Sequence, residues 1–97
     1  MIYKAVKRRN DEEGYEAASF VDSEELIKEL LDWLEDNGID DVYINYDNPD
    51  YPYVHFNDSG REIIAKQGEV IVLNLGKHFK VMSEMQFFKK FYLELIK

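Results

Sequence analysis

The chain of 97 residues contains no cysteine, only two prolines and only two histidines. The lack of cysteine excludes disulfides, thiolate metal sites and cysteine nucleophiles, and it fits a reducing compartment. His55 and His78 each lie beside a phenylalanine in an alternating segment, where a histidine more often packs than acts as a base. Gly-x-Ser-x-Gly, phosphate-loop and His-Glu-x-x-His motifs are also missing. We therefore expect a protein that is not an enzyme, with no catalytic residues, cofactor or metal.

Long apolar runs are lacking too. The first nine residues mix apolar side chains with Lys4, Lys7, Arg8 and Arg9, which is unlike a signal peptide. No segment reaches the length of a transmembrane helix. The hydrophobic content of 45% and aromatic content of 14% suffice for one core. We expect a single domain over residues 1–97 that stays in the cytoplasm and away from membranes.

Basic residues are almost absent from one long window. Residues 11–50 hold fifteen of the twenty acidic residues and a single base, Lys28, so this window carries fourteen negative charges. Residues 1–10 are net basic by four charges and residues 51–97 by two, which accounts for the total of −8. A polarised field of this kind repels nucleic acid, or imitates it in a basic protein groove.

Alternating hydrophobicity, interrupted by polar turns, predicts several short antiparallel strands. The first two form a hairpin around the turn 10–14, in which Gly14 takes a positive φ angle, and the last two form another hairpin. The predicted strands are Ile2–Val6, Tyr15–Val21, Val42–Tyr46, Tyr53–Phe56, Glu62–Ala65, Val70–Leu73 and His78–Met82.

Two segments have helical periodicity. The first, at about 23–37, follows Asp22 and Glu25 at capping-box spacing and carries apolar residues on one side and acidic residues on the other. The second, at about 84–96, follows Ser83 and Gln86 at the same spacing. Its aromatic stripe is expected to be core, or a protomer interface if part of it remains exposed, and it consists of Phe87, Phe88, Phe91, Tyr92 and Leu95. The order of elements predicts an α+β fold with a curved antiparallel sheet of about five to seven short strands and two amphipathic helices.

Four short motifs resemble a pattern found in small bacteriophage and prophage accessory proteins, most of which are uncharacterised. In that group a Gly-Asp-x-Ile-Ile strand leads through a Gly-x-Phe hairpin to a closing Phe-x-Lys-x-Tyr helix, and an earlier Glu-Ala-x-x-Phe strand precedes an acidic helix. The matching segments here are Gly68-Glu69-Val70-Ile71-Val72, Gly76-Lys77-His78-Phe79, Phe88-Lys89-Lys90-Phe91-Tyr92 and Tyr15-Glu16-Ala17-Ala18-Ser19-Phe20. The resemblance implies a phage origin, hence the cytoplasm of a host cell, and brings no catalytic residues with it.

The chain departs from that group at three places. Glu69 stands where the group has aspartate, the hairpin before Phe79 is about one residue shorter, and the segment Asp40–Tyr53 has no counterpart. This segment interleaves four tyrosines with four aspartates. Tyrosines are enriched at binding hot spots and aspartates pair with basic partners, so the segment suits docking to a basic protein. The alternative is that its tyrosines pack on a strand while its aspartates solvate a turn.

The acidic side of the first helix has two interpretations as well. Carboxylates on successive helical turns approach the spacing of phosphates along a nucleic-acid strand. The simpler interpretation is a charged, solvated helix face. Few bases offset these charges, since only Lys28 follows an acid, Glu24, at a favourable helical spacing. That shortage favours a function for the acidic side, although solubility alone is a sufficient reason for it.

We therefore hypothesise a phage-encoded, non-catalytic inhibitor that occupies a basic, nucleic-acid-binding surface of a host protein. An anti-CRISPR or other anti-defence protein fits this description. It is expected to be a monomer or homodimer and to bind no nucleic acid directly, since the basic clusters Lys7-Arg8-Arg9 and Lys89-Lys90 are short. The residues expected to contact the partner are Glu25, Glu29, Asp32, Asp36, Asp40, Asp41, Tyr46, Asp47, Asp50 and Tyr51.

Two alternatives remain open from the sequence. One is a protein that sequesters a small nucleotide signal, which requires a positive pocket. The bases considered for that pocket are Arg61, Lys66, Lys77 and Lys80. The other is a structural or regulatory phage protein without a host target.

Overall fold

In the computed structural model, which describes residues 1–94, the chain forms eight strands in two antiparallel sheets together with two helices. The predicted α+β class is therefore confirmed. The strands are β1 Tyr3–Lys7, β2 Glu12–Ser19, β3 Tyr43–Asn45, β4 Tyr53–Asp58, β5 Arg61–Lys66, β6 Val70–Leu73, β7 Phe79–Met82 and β8 Phe91–Leu93. The helices are α1 Glu24–Asp36 and α2 Glu84–Lys90.

The strands divide between two sheets instead of forming the one curved sheet that was expected. Five strands pair in the order β7-β6-β2-β1-β8, and three pair in the order β3-β4-β5. The chain passes from the small sheet to the large one through the short link between β5 and β6. Gly68 in this link has φ +87°, a conformation that favours glycine. Its N–H donates to the carbonyl of Phe20 at 2.9 Å, which fixes the change of direction.

The first hairpin has the predicted strands but a different turn. Gly14 has the expected positive φ, +99°, yet it lies within β2. The turn itself uses Asn10 and Asp11, with φ angles of +66° and +47°. Asparagine and aspartate tolerate this left-handed region better than most residues, so glycine is not required there.

Helix α2 is shorter than the predicted helix at 84–96. It begins with the expected capping box, in which Ser83 Oγ accepts a hydrogen bond from the N–H of Gln86, but it ends at Lys90. Phe91 is extended, with φ −133° and ψ +160°, and starts β8. Pairing with β1 satisfies the backbone of this edge and buries Phe91, which outweighs local helical periodicity. The predicted residues 95 and 96 lie outside the described residues.

Helix α1 matches its predicted position but starts differently. Its N-cap is Ser23, whose side chain makes no capping hydrogen bond, so the Asp22–Glu25 capping box does not form. The helix is held by its apolar side, where Leu30, Trp33 and Leu34 are buried.

The five-stranded sheet has a core on each face. On one face, Ala18, Phe20 and Ile71 pack with α1 and with residues of the small sheet such as Phe56. On the other face, strand residues pack with Phe87 of α2 and with Phe91. Because alternate strand residues point to opposite faces, α1 and α2 lie on opposite sides of this sheet. No helix in residues 1–94 is long and apolar enough to cross a membrane.

Candidate functional site

The four carboxylates predicted on α1 form one exposed row. Glu25, Glu29, Asp32 and Asp36 are all exposed, and their spacing places them on one side of the helix. The buried residues of α1 lie on the other side, so this acidic row faces solvent. The sequence therefore located these four side chains correctly.

A fifth carboxylate, which the sequence analysis did not single out, extends the row. Glu16 of β2 lines a groove of about 460 Å³ together with Glu29, Asp32 and Asp36. Its Oε1 lies 3.4 Å from the indole nitrogen of Trp33, which holds the carboxylate beside α1. Glu16 lies on the same face of the strand as the buried Ala18 and Phe20. An acidic residue on an otherwise apolar strand face was the feature of the sequence that could have identified Glu16. We call these residues, with Glu25, the acidic face.

The acidic face has little internal counter-charge. Within residues 1–94, the only cation within 4.0 Å of its carboxylates is the amino group of Met1, which lies 2.8 Å from Glu29. The pairing of Lys28 with Glu24 suggested by their spacing does not form within 4.0 Å. The negative charge of the acidic face is therefore available to solvent or to another molecule.

Tyr46 ties the chain after β3 to the start of α1. Its hydroxyl donates a hydrogen bond of 2.9 Å to Oδ1 of Asp22, and this bond raises the pKa of Tyr46. Asp40 and Asp41 lie near the other end of α1 and are exposed. The segment between Asp40 and Tyr46 thus runs back along the helix.

The loop after Tyr46 is held by its own side chains. The N–H of Asp47 donates to Oδ1 of Asn45 at 2.8 Å, and the N–H of Asp50 donates to Oδ1 of Asn48 at 3.2 Å. Such local bonds are typical of aspartate and asparagine turns. Tyr51, at the end of this loop, is 76% exposed.

The predicted contact residues do not all meet in one place. Asp50 and Tyr51 line a depression of about 440 Å³ with Lys66, and this depression shares no lining residue with the groove of the acidic face. The structure therefore separates the helix carboxylates from the tip of the tyrosine-rich segment.

The histidines have packing and hydrogen-bonding roles. His55 is half-buried, its Nε2 lies 2.8 Å from Oε1 of Glu62, and its ring lies 4.8 Å from the ring of Tyr43. His78 is exposed, with Nδ1 3.8 Å from the carboxylate of Asp58. The two rings thus occupy separate surroundings.

A concavity of about 710 Å³ lies on the α2 side of the five-stranded sheet. We call it the basic cleft. Of the four bases considered for a positive pocket, only Lys80 lines it. Arg61 instead donates to the carbonyl of Phe79 at 2.8 Å, and Lys66 and Lys77 line other depressions. The cations of the basic cleft are Lys7, Arg8, Arg9, Lys80, Lys89 and Lys90.

Comparison with protein-family models, with curated proteins and with solved structures gave no match to this chain. The candidate sites of the described residues are therefore two charged surfaces, the acidic face and the basic cleft.

Proposed function

We propose that this protein is a non-catalytic inhibitor that binds, through its acidic face, to a basic surface with which a host protein holds nucleic acid. The observation that carries the proposal is the exposed row of helix carboxylates, three of which line one groove with Glu16. Carboxylates on successive turns stand about 5–6 Å apart, close to the spacing of about 7 Å between phosphates along one strand.

The shortage of counter-charge supports this role. Unpaired carboxylates on one helix side repel one another and lower helix stability by a few tenths of a kcal/mol per pair. A basic partner relieves this repulsion and speeds association through long-range attraction. A partner that evolved to bind phosphates presents the complementary charge.

Tyr51 and Tyr46 contribute differently to the proposed contact. Tyr51 is largely exposed, and with Asp50 it offers the partner a second contact apart from the groove of the acidic face. Tyr46 is 48% exposed, and its hydroxyl is already bonded to Asp22, so its ring is held in place before binding. A preorganised side chain loses less conformational entropy on binding.

The biological setting of the proposal comes from the resemblance to small phage proteins. An acidic protein made in a host cell during infection blocks a defence enzyme if it occupies the channel in which that enzyme holds DNA or RNA. Anti-CRISPR and related anti-defence activity is the proposed class.

The test is affinity capture of host proteins on the immobilised wild-type chain, at low and at high salt, with identification by mass spectrometry. We expect a nucleic-acid-binding protein that is retained at low salt, released at high salt and displaced by its own DNA or RNA. The same capture is then repeated with a variant in which the helix carboxylates are neutralised. That variant is E25Q/E29Q/D32N/D36N.

A matched variant controls for net charge. It removes four negative charges from exposed positions outside α1 and outside residues 40–51. It is E13Q/E62Q/E84Q/E94Q. The proposal requires capture to be lost in the α1 variant and kept in the control. Equal retention by both variants, or no partner at any salt concentration, contradicts it.

A further inference from the structure

We propose that the basic cleft is a second binding site, which takes a small ligand through two or more phosphate groups, as a nucleoside polyphosphate carries. The site is independent of the acidic face. Its cations come from three parts of the chain: the end of β1 with the following turn, strand β7, and the end of α2.

Arg8 joins the two basic clusters, which are 80 residues apart in the sequence. Its N–H donates to the carbonyl of Lys90 at 2.8 Å, and its Nε donates to the carbonyl of Phe88 at 2.9 Å. These bonds satisfy carbonyls at the end of α2 and hold the guanidinium 5.7 Å from the ring centre of Tyr92. Nε is the only side-chain nitrogen of Arg8 that is bonded within residues 1–94. The terminal guanidinium nitrogens of Arg8 are thus available to bind an anion.

The cations of the cleft are not neutralised by nearby acids. No carboxylate lines the cleft, and within the described part of the chain none lies within 4.0 Å of its six charged groups. Two neighbouring acids lie outside the cleft lining and hydrogen-bond to tyrosines: Asp11 accepts a bond of 2.9 Å from Tyr92, and Glu12 accepts one from Tyr15. Six cations gathered with no carboxylate in the cleft lining repel one another, and a polyanion relieves that repulsion.

The floor of the cleft is apolar and ordered by core packing. Tyr15, Val72, Met82 and Phe91 line it and are buried. The ring of Phe91 is stacked on that of Phe87 at 5.2 Å, and the ring of Tyr15 packs edge-on against Phe91 at 5.0 Å. An apolar, well-packed floor bordered by polar groups is typical of small-molecule sites.

Size and aromatic packing favour a small ligand over a nucleic-acid strand. The volume of about 710 Å³ falls in the range of roughly 300–1,000 Å³ for small-molecule sites. Single-stranded nucleic acid is generally held by bases stacked on exposed aromatic rings. Here Tyr15 and Phe91 are buried, and Arg8 covers Tyr92. The cleft is thus equipped to recognise phosphates and not bases.

The acidic face does not cancel this site. The five-stranded sheet separates α1 from the cleft, because the cleft floor belongs to the core on the α2 side. The carboxylates of the acidic face on α1 are exposed on the opposite side of the sheet, and salt screens exposed charges over a Debye length of about 8 Å. Their effect on a ligand in the cleft is therefore weakened.

The test is calorimetric titration of the full chain with inorganic triphosphate, a nucleoside triphosphate and a short single-stranded oligonucleotide. We expect both triphosphates to bind one per chain with similar affinity, and we expect binding to weaken as salt increases. Chemical-shift changes measured by NMR should centre on the cleft-lining residues. Absence of binding by both triphosphates, or shift changes elsewhere, overturns the proposal.

Two triple variants separate a specific site from general attraction. Each removes three positive charges from exposed lysines, so their net charges are equal. The cleft variant is K80Q/K89Q/K90Q. The control variant is K4Q/K66Q/K77Q. Loss of charged hydrogen bonds should weaken triphosphate binding about tenfold or more in the cleft variant and less than about twofold in the control.

Other outcomes of this comparison are decisive as well. Equal loss in both variants shows attraction to net charge only and overturns the site. Tighter binding of the oligonucleotide, with several chains per strand, assigns the cleft to nucleic acid and overturns the small-ligand proposal. The variant E25Q/E29Q/D32N/D36N should bind triphosphate at least as well as the wild type, so failure of either proposed site is distinguishable from failure of the other.

Discussion

Oδ2 of Asp58 accepts a hydrogen bond of 2.8 Å from the backbone N–H of Phe79, which belongs to the other sheet. Arg61, which faces Asp58 across the β4–β5 turn, donates to the carbonyl of the same Phe79 at 2.8 Å. Both backbone groups of one residue in β7 are therefore held by side chains of the small sheet. Asp58 is only 5% exposed, and this bond gives its buried carboxylate a partner.

Removing this carboxylate should destabilise the fold. In D58A the buried N–H of Phe79 loses its acceptor, which costs about 1–3 kcal/mol of unfolding free energy. D58N keeps an acceptor oxygen and should lose less. Urea denaturation of the wild type and both variants tests the expectation. Equal stability of D58A and the wild type would show that the bond contributes nothing.

Phe79 should also matter through its side chain. It is 1% exposed, and its ring lies edge-on to Trp33 at 5.3 Å and to Phe56 at 5.5 Å. F79A should cost about 3–5 kcal/mol. F88A removes the same side chain from a residue that is 43% exposed and should cost about 1 kcal/mol or less. Trp33 fluorescence during urea denaturation measures both, and similar losses would contradict the assigned core.

The two N-cap serines should respond differently to alanine. Ser83 accepts a hydrogen bond of 3.2 Å from Gln86, whereas the side chain of Ser23 makes no such bond. S83A should therefore lower the unfolding free energy by about 1 kcal/mol, and S23A should change it by less than about 0.5 kcal/mol. Thermal denaturation of the two variants compares them directly. A larger loss in S23A would require another role for Ser23.

Two hydrogen-bonded tyrosines should make stability fall at high pH. Hydrogen bonds to Asp22 and Asp11 raise the pKa of Tyr46 and of Tyr92 above the ordinary value of about 10. A group whose pKa is raised on folding stabilises the fold below its unfolded pKa, and this contribution is lost as pH rises through its folded pKa. The stability difference between the wild type and Y46F/Y92F should therefore shrink above about pH 10. Urea denaturation across this range measures it, and a constant difference would contradict the linkage.

Local patterns in the sequence predicted most elements of the fold. Leu30, Trp33 and Leu34 recur at helical intervals and identify α1, while alternation or short apolar runs bounded by polar turns identify seven of the strands. The capping box at Ser83 was also visible. These features depend on neighbouring residues, which is why one sequence suffices to find them.

The remaining features depend on residues that are far apart in the chain. Phe91 continues the helical spacing of Phe87, but it pairs with Lys7 in the sheet, and no local pattern shows this. The same pairing brings Lys89 and Lys90 to Arg8. The two basic clusters, each of which was judged too short to bind nucleic acid, therefore line one cleft together. Glu16 was missed for a similar reason, since only the packing of β2 against Trp33 places it beside α1.

The pairing of β1 with β8 also has a consequence for folding and unfolding kinetics. Strand pairs far apart in sequence form late in folding, because closing a long loop costs entropy before the contacts form. The bond from Arg8 to Phe88 spans 80 residues, and it lies at the junction on which the basic cleft depends. We therefore expect the cleft to be among the last parts of the molecule to become complete. A ligand held across this junction would slow unfolding by opposing separation of β1 from β8.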